Sequence, residues 1–312
     1  MKIMRPLSAV GIVASAALVL AACGTDPGAS SSSSSSASVP AATGTADVNC
    51  GGKSPLSAEG STAQKNAIDI FTQQYGKKCS GQKVNYNASG SGAGVKQFNA
   101  AQTDFSGSDS PMTGADLDAG AKRCGAPAWN IPMVVGPIAV AYKLSGVDKL
   151  ALTPTVIAKI FNGGVGNGAQ GSNGVASTVK GADGAITYVE GAFAKDGLTP
   201  ALIDSGSGGV ELSATAVAKS LDAAKFLKDG TNDLALDLNG IYSSNVAGAY
   251  PLLLVTYEIV CSKYSDAQVS QAVKAFLTVA ATYGEAPLSA KGNVPLAQSL
   301  QTKVLAAIKA IS

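Results

Sequence analysis

The sequence predicts an α/β fold with mostly parallel sheets. Strand patterns alternate with helical ones, and two strands, Trp129–Tyr142 and Tyr250–Cys261, are too apolar and β-branched for surface loops. Two serine- and glycine-rich turns, Ser89–Gly94 and Ser106–Ser110, stand where strands end, the place at which open sheets of this kind bind ligands. Two amphipathic helices, Asp266–Tyr283 and about Leu296–Ile311, close the chain; Val269, Val273, Phe276 and Ala280 form the stripe of the first, and Leu300, Val304 and Ile308 that of the second.

Residues 1–22 read as an export signal: Lys2 and Arg5, the apolar run Leu7–Leu20, then small residues. The run is short for a membrane span. Leu20-Ala21-Ala22-Cys23 reads as a lipobox, in which the Cys23 thiol is acylated and becomes the new N-terminus. The expected location is the extracytoplasmic face of the cell membrane, with the chain held to the lipid bilayer through Cys23. Residues 23–48, with the unbroken run Ser30–Ser36, bury no core and form a flexible tether. The globular part starts near Asn49 and is long enough for two lobes or one large domain. Of the formal charge of +2, Lys2 and Arg5 leave with the signal, so the mature chain is neutral, which argues against a nucleic-acid partner.

With Cys23 lipidated, Cys50, Cys79, Cys124 and Cys261 remain. Four cysteines in an exported protein allow three pairings. Cys50 and Cys79 each precede a strand pattern, and the two strands flank one helix, which favours Cys50–Cys79 and Cys124–Cys261 without choosing strictly. A zinc site is the rival, but the chain has no histidine and no Cys-x-x-Cys, and no metal or other cofactor is expected. The absence of histidine also removes Ser-His-Asp triads and imidazole proton transfer, so the chain does not read as an enzyme.

Taken in order, Lys53–Gly60 is a first strand and loop. Ser61 and Thr62 stand at the start of a helix with Ala67, Ile70, Phe71 and Tyr75 on one face, and Gly76-Lys77-Lys78 suits its end. That entry is a plain N-cap or a set of N–H and hydroxyl donors aimed at an anion. A strand over Gln82–Asn87 leads into the first turn, after which Val95, Phe98 and Ala101 recur at helical spacing. Trp129–Tyr142 reads as a buried strand interrupted at Gly136-Pro137. Thr153-Pro154 opens a short helix carrying Val156, Ile157, Ile160 and Phe161, closed by Asn162-Gly163. Gly163–Gly174 is glycine-dense; a helix, a turn at Asp183-Gly184 and the strand Ala185–Glu190 follow.

The chemistry concentrates in Asn85–Pro111. Glycines let successive N–H groups point inward, and a helix N-terminus adds positive potential, which together make an anion-binding concavity. The second turn sets Asp109 among Ser106, Ser108 and Ser110. A carboxylate beside an anion pocket fits an anion that carries its own proton, which Asp109 then accepts. Hydrogen phosphate has that proton at neutral pH and sulfate does not.

Lipobox, serine tether, Gly60-Ser61-Thr62, Ser89-Gly90-Ser91-Gly92-Ala93-Gly94-Val95-Lys96-Gln97 and Asp104-Phe105-Ser106-Gly107-Ser108-Asp109 come in the order seen in phosphate-binding subunits of phosphate ABC transporters, and the chain resembles the actinobacterial lipoproteins of that PstS family. Gly184–Glu190, Tyr250-Pro251-Leu252 and Tyr257–Cys261 resemble further family strands, so the likeness covers nearly the whole mature chain. It implies a two-lobed, periplasmic-binding-protein-like (type II) clamshell that closes on phosphate and delivers it to ABC permease subunits in the membrane. Residues 49–140 with 251–312 would form lobe 1 and residues 141–250 lobe 2. The resemblance places phosphate contacts on Ser61 and Thr62, through backbone N–H and hydroxyl, on the Ser91 hydroxyl, and on Asp109 as proton acceptor.

One departure matters. The family's second lobe carries an R-x-D-x-S-G-T segment that completes the phosphate cage, and this chain has only Arg5 and Arg123, neither in such a segment. Asp204-Ser205-Gly206-Ser207 is superficially similar but follows the Gly184–Glu190 strand, where the family has variable surface. Several dozen family residues are missing at Asn162–Gly164, so lobe 2 is expected to be truncated there and phosphate binding to be weak or lost. Three functions follow from these features: a phosphate receptor for an importer, a surface lipoprotein of the same fold acting through protein contacts, or, least in keeping with the residues, a phosphatase reusing the pocket.

Overall fold

The structure, a computed structural model, describes residues 47–162, 168–169, 171–222 and 224–312. The signal, the lipobox with Cys23, almost all of the tether and Gly163-Gly164 lie outside the described residues.

The chain begins with three strand–helix steps: β1 (Leu56–Gly60), α1 (Lys65–Lys78), β2 (Val84–Asn87), α2 (Ser91–Asn99), β3 (Phe105–Ser108) and α3 (Gly114–Cys124). β4 (Ala128–Lys143) then crosses the molecule. Beyond it come β5 (Ala151–Leu152), α4 (Pro154–Asn162), α5 (Gly171–Lys180), β6 (Ala185–Glu190), β7 (Thr199–Pro200), β8 (Leu202–Asp204), β9 (Gly209–Val210), α6 (Ala214–Asp222) and α7 (Leu238–Tyr242). The return is β10 (Leu253–Cys261), then α8 (Ala267–Val279), α9 (Glu285–Leu288) and α10 (Gln298–Ala310).

The large sheet runs β2-β1-β3-β10-β4-β6, with β7 also on β4, and β5-β8-β9 form a small second sheet. Only β2, β1 and β3 are mutually parallel in the large sheet; β10, β4, β6 and β7 pair antiparallel. The expectation of mostly parallel sheets is therefore corrected to a mixed sheet. β10 returns from the far side of the molecule and enters between β3 and β4 in the opposite sense, a long-range connection that local patterning does not reveal.

β4 is also not interrupted at Gly136-Pro137. It pairs with β10 up to Pro137 and with β6 from Ile138 onward, so the dipeptide marks a change of partner rather than a break. Pro132, which has no N–H to give, falls where the register shifts opposite Thr256/Tyr257, the bulge position at which a ladder tolerates proline.

The main core lies beneath the first three strands, where Phe71, Tyr75, Phe105 and Phe276 are fully buried. Phe276 stacks on Phe105 with ring centroids 5.2 Å apart and meets Tyr75 edge-on at 5.5 Å. Ile68 is buried on α1 where Ile70 was expected, and Ile70 packs only partly buried at the core's edge. Ala101 lies past the end of α2 in left-handed backbone, φ 59°, not on its helical face. Disulfides join Cys50 to Cys79 and Cys124 to Cys261. Among the described residues no helix is long and apolar enough to cross a membrane.

Candidate functional site

Because β2, β1 and β3 run parallel, their carboxyl ends share one edge, and each feeds a site residue: Gly60 leads to Ser61, Asn87 to the Ser91 turn, Ser108 to Asp109. Gly94 lets α2 lie against that edge, since a Cβ there would sit 2.6 Å from the Glu59 carbonyl oxygen. Ser61 and Thr62 do not belong to the helix itself, which starts at Lys65. They form the turn before it, where the Gln64 N–H donates to Ser61 Oγ at 3.3 Å.

Three hydroxyls converge on Asp109. Ser61 Oγ donates to its Oδ1 at 2.6 Å, Thr256 Oγ1 to the same oxygen at 2.7 Å, and Ser91 Oγ to Oδ2 at 3.0 Å. The Asp109 N–H donates back to Ser91 Oγ at 3.0 Å. Ser106 and Ser108, expected around the carboxylate, instead bond the Glu59 and Ser110 carbonyls. In β3 alternate side chains face opposite sides, so neighbours in sequence are not neighbours at the site. Ser61 is fully buried with its N–H committed to the Gly107 carbonyl at 2.9 Å, whereas Thr62 is exposed.

Thr256 was missed by sequence reasoning. Thr256 and Glu258 are polar residues two apart in an otherwise apolar, wholly buried stretch, and that period-two pair on one strand face is the signal that finds both. Glu190, at the end of β6, also borders the site. Its carboxyl accepts from the Ser172 hydroxyl; burial raises its pKa, the Ser172 bond opposes this, and Asp109 adds to the rise. A cavity of about 360 Å³ lies along α5, lined by Asn173 and Lys180 of that helix with Asn66, Lys195, Asp196 and Lys291 among others.

Arg123 is no substitute for the absent cage arginine. It lies 4.3 Å over the Phe98 ring and donates to the Thr103 carbonyl at 2.6 Å and to Cys261 Sγ at 2.7 Å. Among the described residues no cluster of acidic, cysteine or histidine side chains is arranged to hold a metal ion.

Two carboxyls are buried almost completely, Glu258 and Glu285, and burial pushes each up to about 8. The folded chain therefore keeps two protons that the unfolded chain releases above the ordinary carboxyl range. Stability is expected to fall as pH rises from about 4.5 to about 8 and then to level, with a slope of at most ~1.4 kcal/mol per pH unit for each group. Urea unfolding at pH 5, 6.5 and 8.5 measures this. Glu285→Gln keeps an acceptor for the Leu296 N–H, 2.8 Å from Glu285 Oε2, and should remove about half of the slope.

The family model described as "PBP superfamily domain" matches residues 29–167 and, in a second segment, 164–282. The phosphate-binding protein PstS3 of Mycobacterium bovis (strain BCG / Pasteur 1173P2) is 37% identical over 378 aligned positions that cover all of both chains, and PstS2 of the same strain is 38% identical over the same span. That alignment is longer than the 312 residues of this chain, so several dozen positions of each relative face no residue here. A human phosphate-binding apolipoprotein superposes with a TM-score of 0.62 at 17% identity, over 80% of this chain and 93% of its own. A putative phosphate ABC transporter substrate-binding protein from Clostridium perfringens gives 0.58 at 14% identity, over 78% and 100%. The chain belongs to the PBP superfamily, the class its fold defines, and within it to the family of the mycobacterial PstS phosphate-binding proteins.

Proposed function

We propose that this chain is an extracytoplasmic solute-binding lipoprotein that captures hydrogen phosphate for an ABC importer, anchored in the bilayer through acylated Cys23. The observation that carries the reading is the Asp109 carboxylate held by the Ser61, Ser91 and Thr256 hydroxyls at the shared edge of three parallel strands. Each hydroxyl can turn its proton from Asp109 to an anion oxygen, and Asp109 then accepts the proton that hydrogen phosphate carries. Thr62, exposed beside them, adds its N–H and hydroxyl. Lys180, Lys195 and Lys291 outnumber Asp196 around a separate cavity, which gives it a net positive rim that attracts anions.

Residues 49–140 with 251–312 form the lobe bearing this half-site, and residues 141–250 a second lobe shortened near 162–164. In support, the two family-matched segments meet at 164–167 and the relatives are several dozen positions longer. Lost charge-assisted donors are worth on the order of 1.5–3 kcal/mol each, so two of them lower affinity ~100-fold or more. No catalytic role is proposed.

A second reading, a surface lipoprotein of the same fold acting through protein contacts, draws on α4. None of its residues is buried, Val156 is 41% exposed, and nearby Tyr188, edge-on to Phe161 at 5.3 Å, is 63% exposed. Calorimetric titration of the chain from Gly24 onward, with phosphate and then sulfate at neutral pH, separates the two. Weak, saturable phosphate binding without sulfate binding is expected. No heat with either anion, from protein that circular dichroism shows to be folded, overturns the receptor reading in favour of the contact one.

A further inference from the structure

Under the Asp109 cradle lies a second polar layer that the phosphate reading leaves unused. Glu258 on β10 and Gln64 before α1 are both fully buried. Gln64 Nε2 donates to the Tyr86 hydroxyl at 2.9 Å, and that hydroxyl donates to the Ser61 carbonyl oxygen at 2.9 Å. The layer rests directly on the β3 backbone. A Cβ on Gly107 would come within 1.9 Å of Gln64 Nε2 and 2.5 Å of the Tyr86 hydroxyl, and Gly107 is the sheet partner of Glu258.

Among the described residues, three oxygens in this layer, both of Glu258 and Oε1 of Gln64, have no hydrogen-bond partner. Three acceptors cannot satisfy one another, and leaving them bare is costly. One proton on Glu258 reduces the conflict by turning one of its oxygens into a donor for Gln64 Oε1, which leaves one bare oxygen in place of three. Burial favours that neutral form most strongly; the Gln64 side chain opposes it by hydrogen bonding, and the neighbouring Asp109 charge favours it further. The groups that face Glu258 are Gln64 from the α1 side, Asp109 after β3 and Tyr86 on β2, with Glu59 of β1 acting on Tyr86. Its partner on β4 is the apolar Ile131.

We infer that Glu258 is a positioning residue for anion capture: as a neutral acid it anchors the chain Gln64–Tyr86–Ser61, which orients and polarises the Ser61–Thr62 peptide toward the anion. A carbonyl that accepts a strong hydrogen bond makes the N–H of the same peptide a stronger donor, and here that N–H belongs to Thr62. When Glu258 loses its proton it can no longer donate to Gln64, the amide is free to turn, and the hold on the Ser61 carbonyl slackens.

The inference rests on the phosphate reading above, and its test separates the two. Phosphate affinity, referred to the hydrogen phosphate present at each pH, is measured by calorimetry from pH 7.5 to 9.5, where that species predominates, for the wild type, Glu258→Gln and Tyr86→Phe. The wild type is expected to lose about tenfold in affinity across this range. Glu258→Gln, whose amide still donates to Gln64 Oε1, should match it within about twofold at pH 7.5 and stay flat. Tyr86→Phe, which cuts the chain in the middle, should already be about tenfold weaker at pH 7.5 and also stay flat. Parallel slopes in all three proteins, or a folded Tyr86→Phe as tight as wild type, overturn the relay and leave the phosphate reading standing. Absence of binding by the wild type at every pH overturns the phosphate reading and the relay with it.

Discussion

Replacing Asp109 with asparagine is expected to cost ten- to a hundredfold in phosphate affinity and to abolish discrimination against sulfate. The carboxylate offers acceptors only, so an anion that carries a proton has a partner there and a fully ionised one meets repulsion. Asparagine removes the charge and presents an amide donor in the same place. The lost contact, one hydrogen bond to a charged group, is worth on the order of 1.5–3 kcal/mol, which gives the expected fall in phosphate affinity. Sulfate gains a donor and loses a repulsion, so the two affinities converge. The amide oxygen still accepts from Ser61 and Thr256, which both bond Oδ1 of Asp109, so the cradle keeps its shape. Calorimetry with each anion on wild type and Asp109→Asn measures the ratio. An unchanged preference for phosphate would place the proton acceptor elsewhere, with Glu190 the first group to test.

What was legible in the sequence follows the range of the interactions. Ser61, Ser91 and Asp109 each stand just beyond a short strand, so turn chemistry placed them at a strand end, and parallel pairing brought those ends together. Thr256 reaches Asp109 from 147 residues along the chain, on a strand whose position in the sheet no local pattern specifies. The expectation of parallel sheets failed for the same reason: β10 and β4 read as buried strands, but burial on both faces carries no sign of direction. Gly136-Pro137 reads as a break because proline ends most ladders. Here the partner changes at that residue, and one strand passes through. The relay of Glu258, Gln64 and Tyr86 needed the structure outright, since its three members come from β10, the turn before α1, and β2.

Removing the Cys124–Cys261 disulfide should cost more stability than removing Cys50–Cys79, without weakening the anion site. It spans 137 residues in sequence and Cys50–Cys79 spans 29. In the chain-entropy account, closing the longer loop is worth about 4–5 kcal/mol, about 1.4 kcal/mol more than the shorter one. That is a large share of the ~5–15 kcal/mol that holds a folded chain together. Packing widens the difference. Cys261 is buried and accepts from Arg123, whose guanidinium also braces Phe98, while Cys50 is exposed. Cys261 nevertheless lies five residues beyond Thr256 on β10, roughly 17 Å at strand rise, so fraying at that end stops short of Asp109. Urea unfolding of Cys124→Ala/Cys261→Ala and Cys50→Ala/Cys79→Ala measures the ranking, and phosphate titration well below the transition measures the site. An equal loss in the two double variants would sink the loop-length explanation. A fall in affinity that accompanies the loss of stability would mean that β10 moves as one rigid piece, carrying Thr256 away from Asp109 when its far end is released.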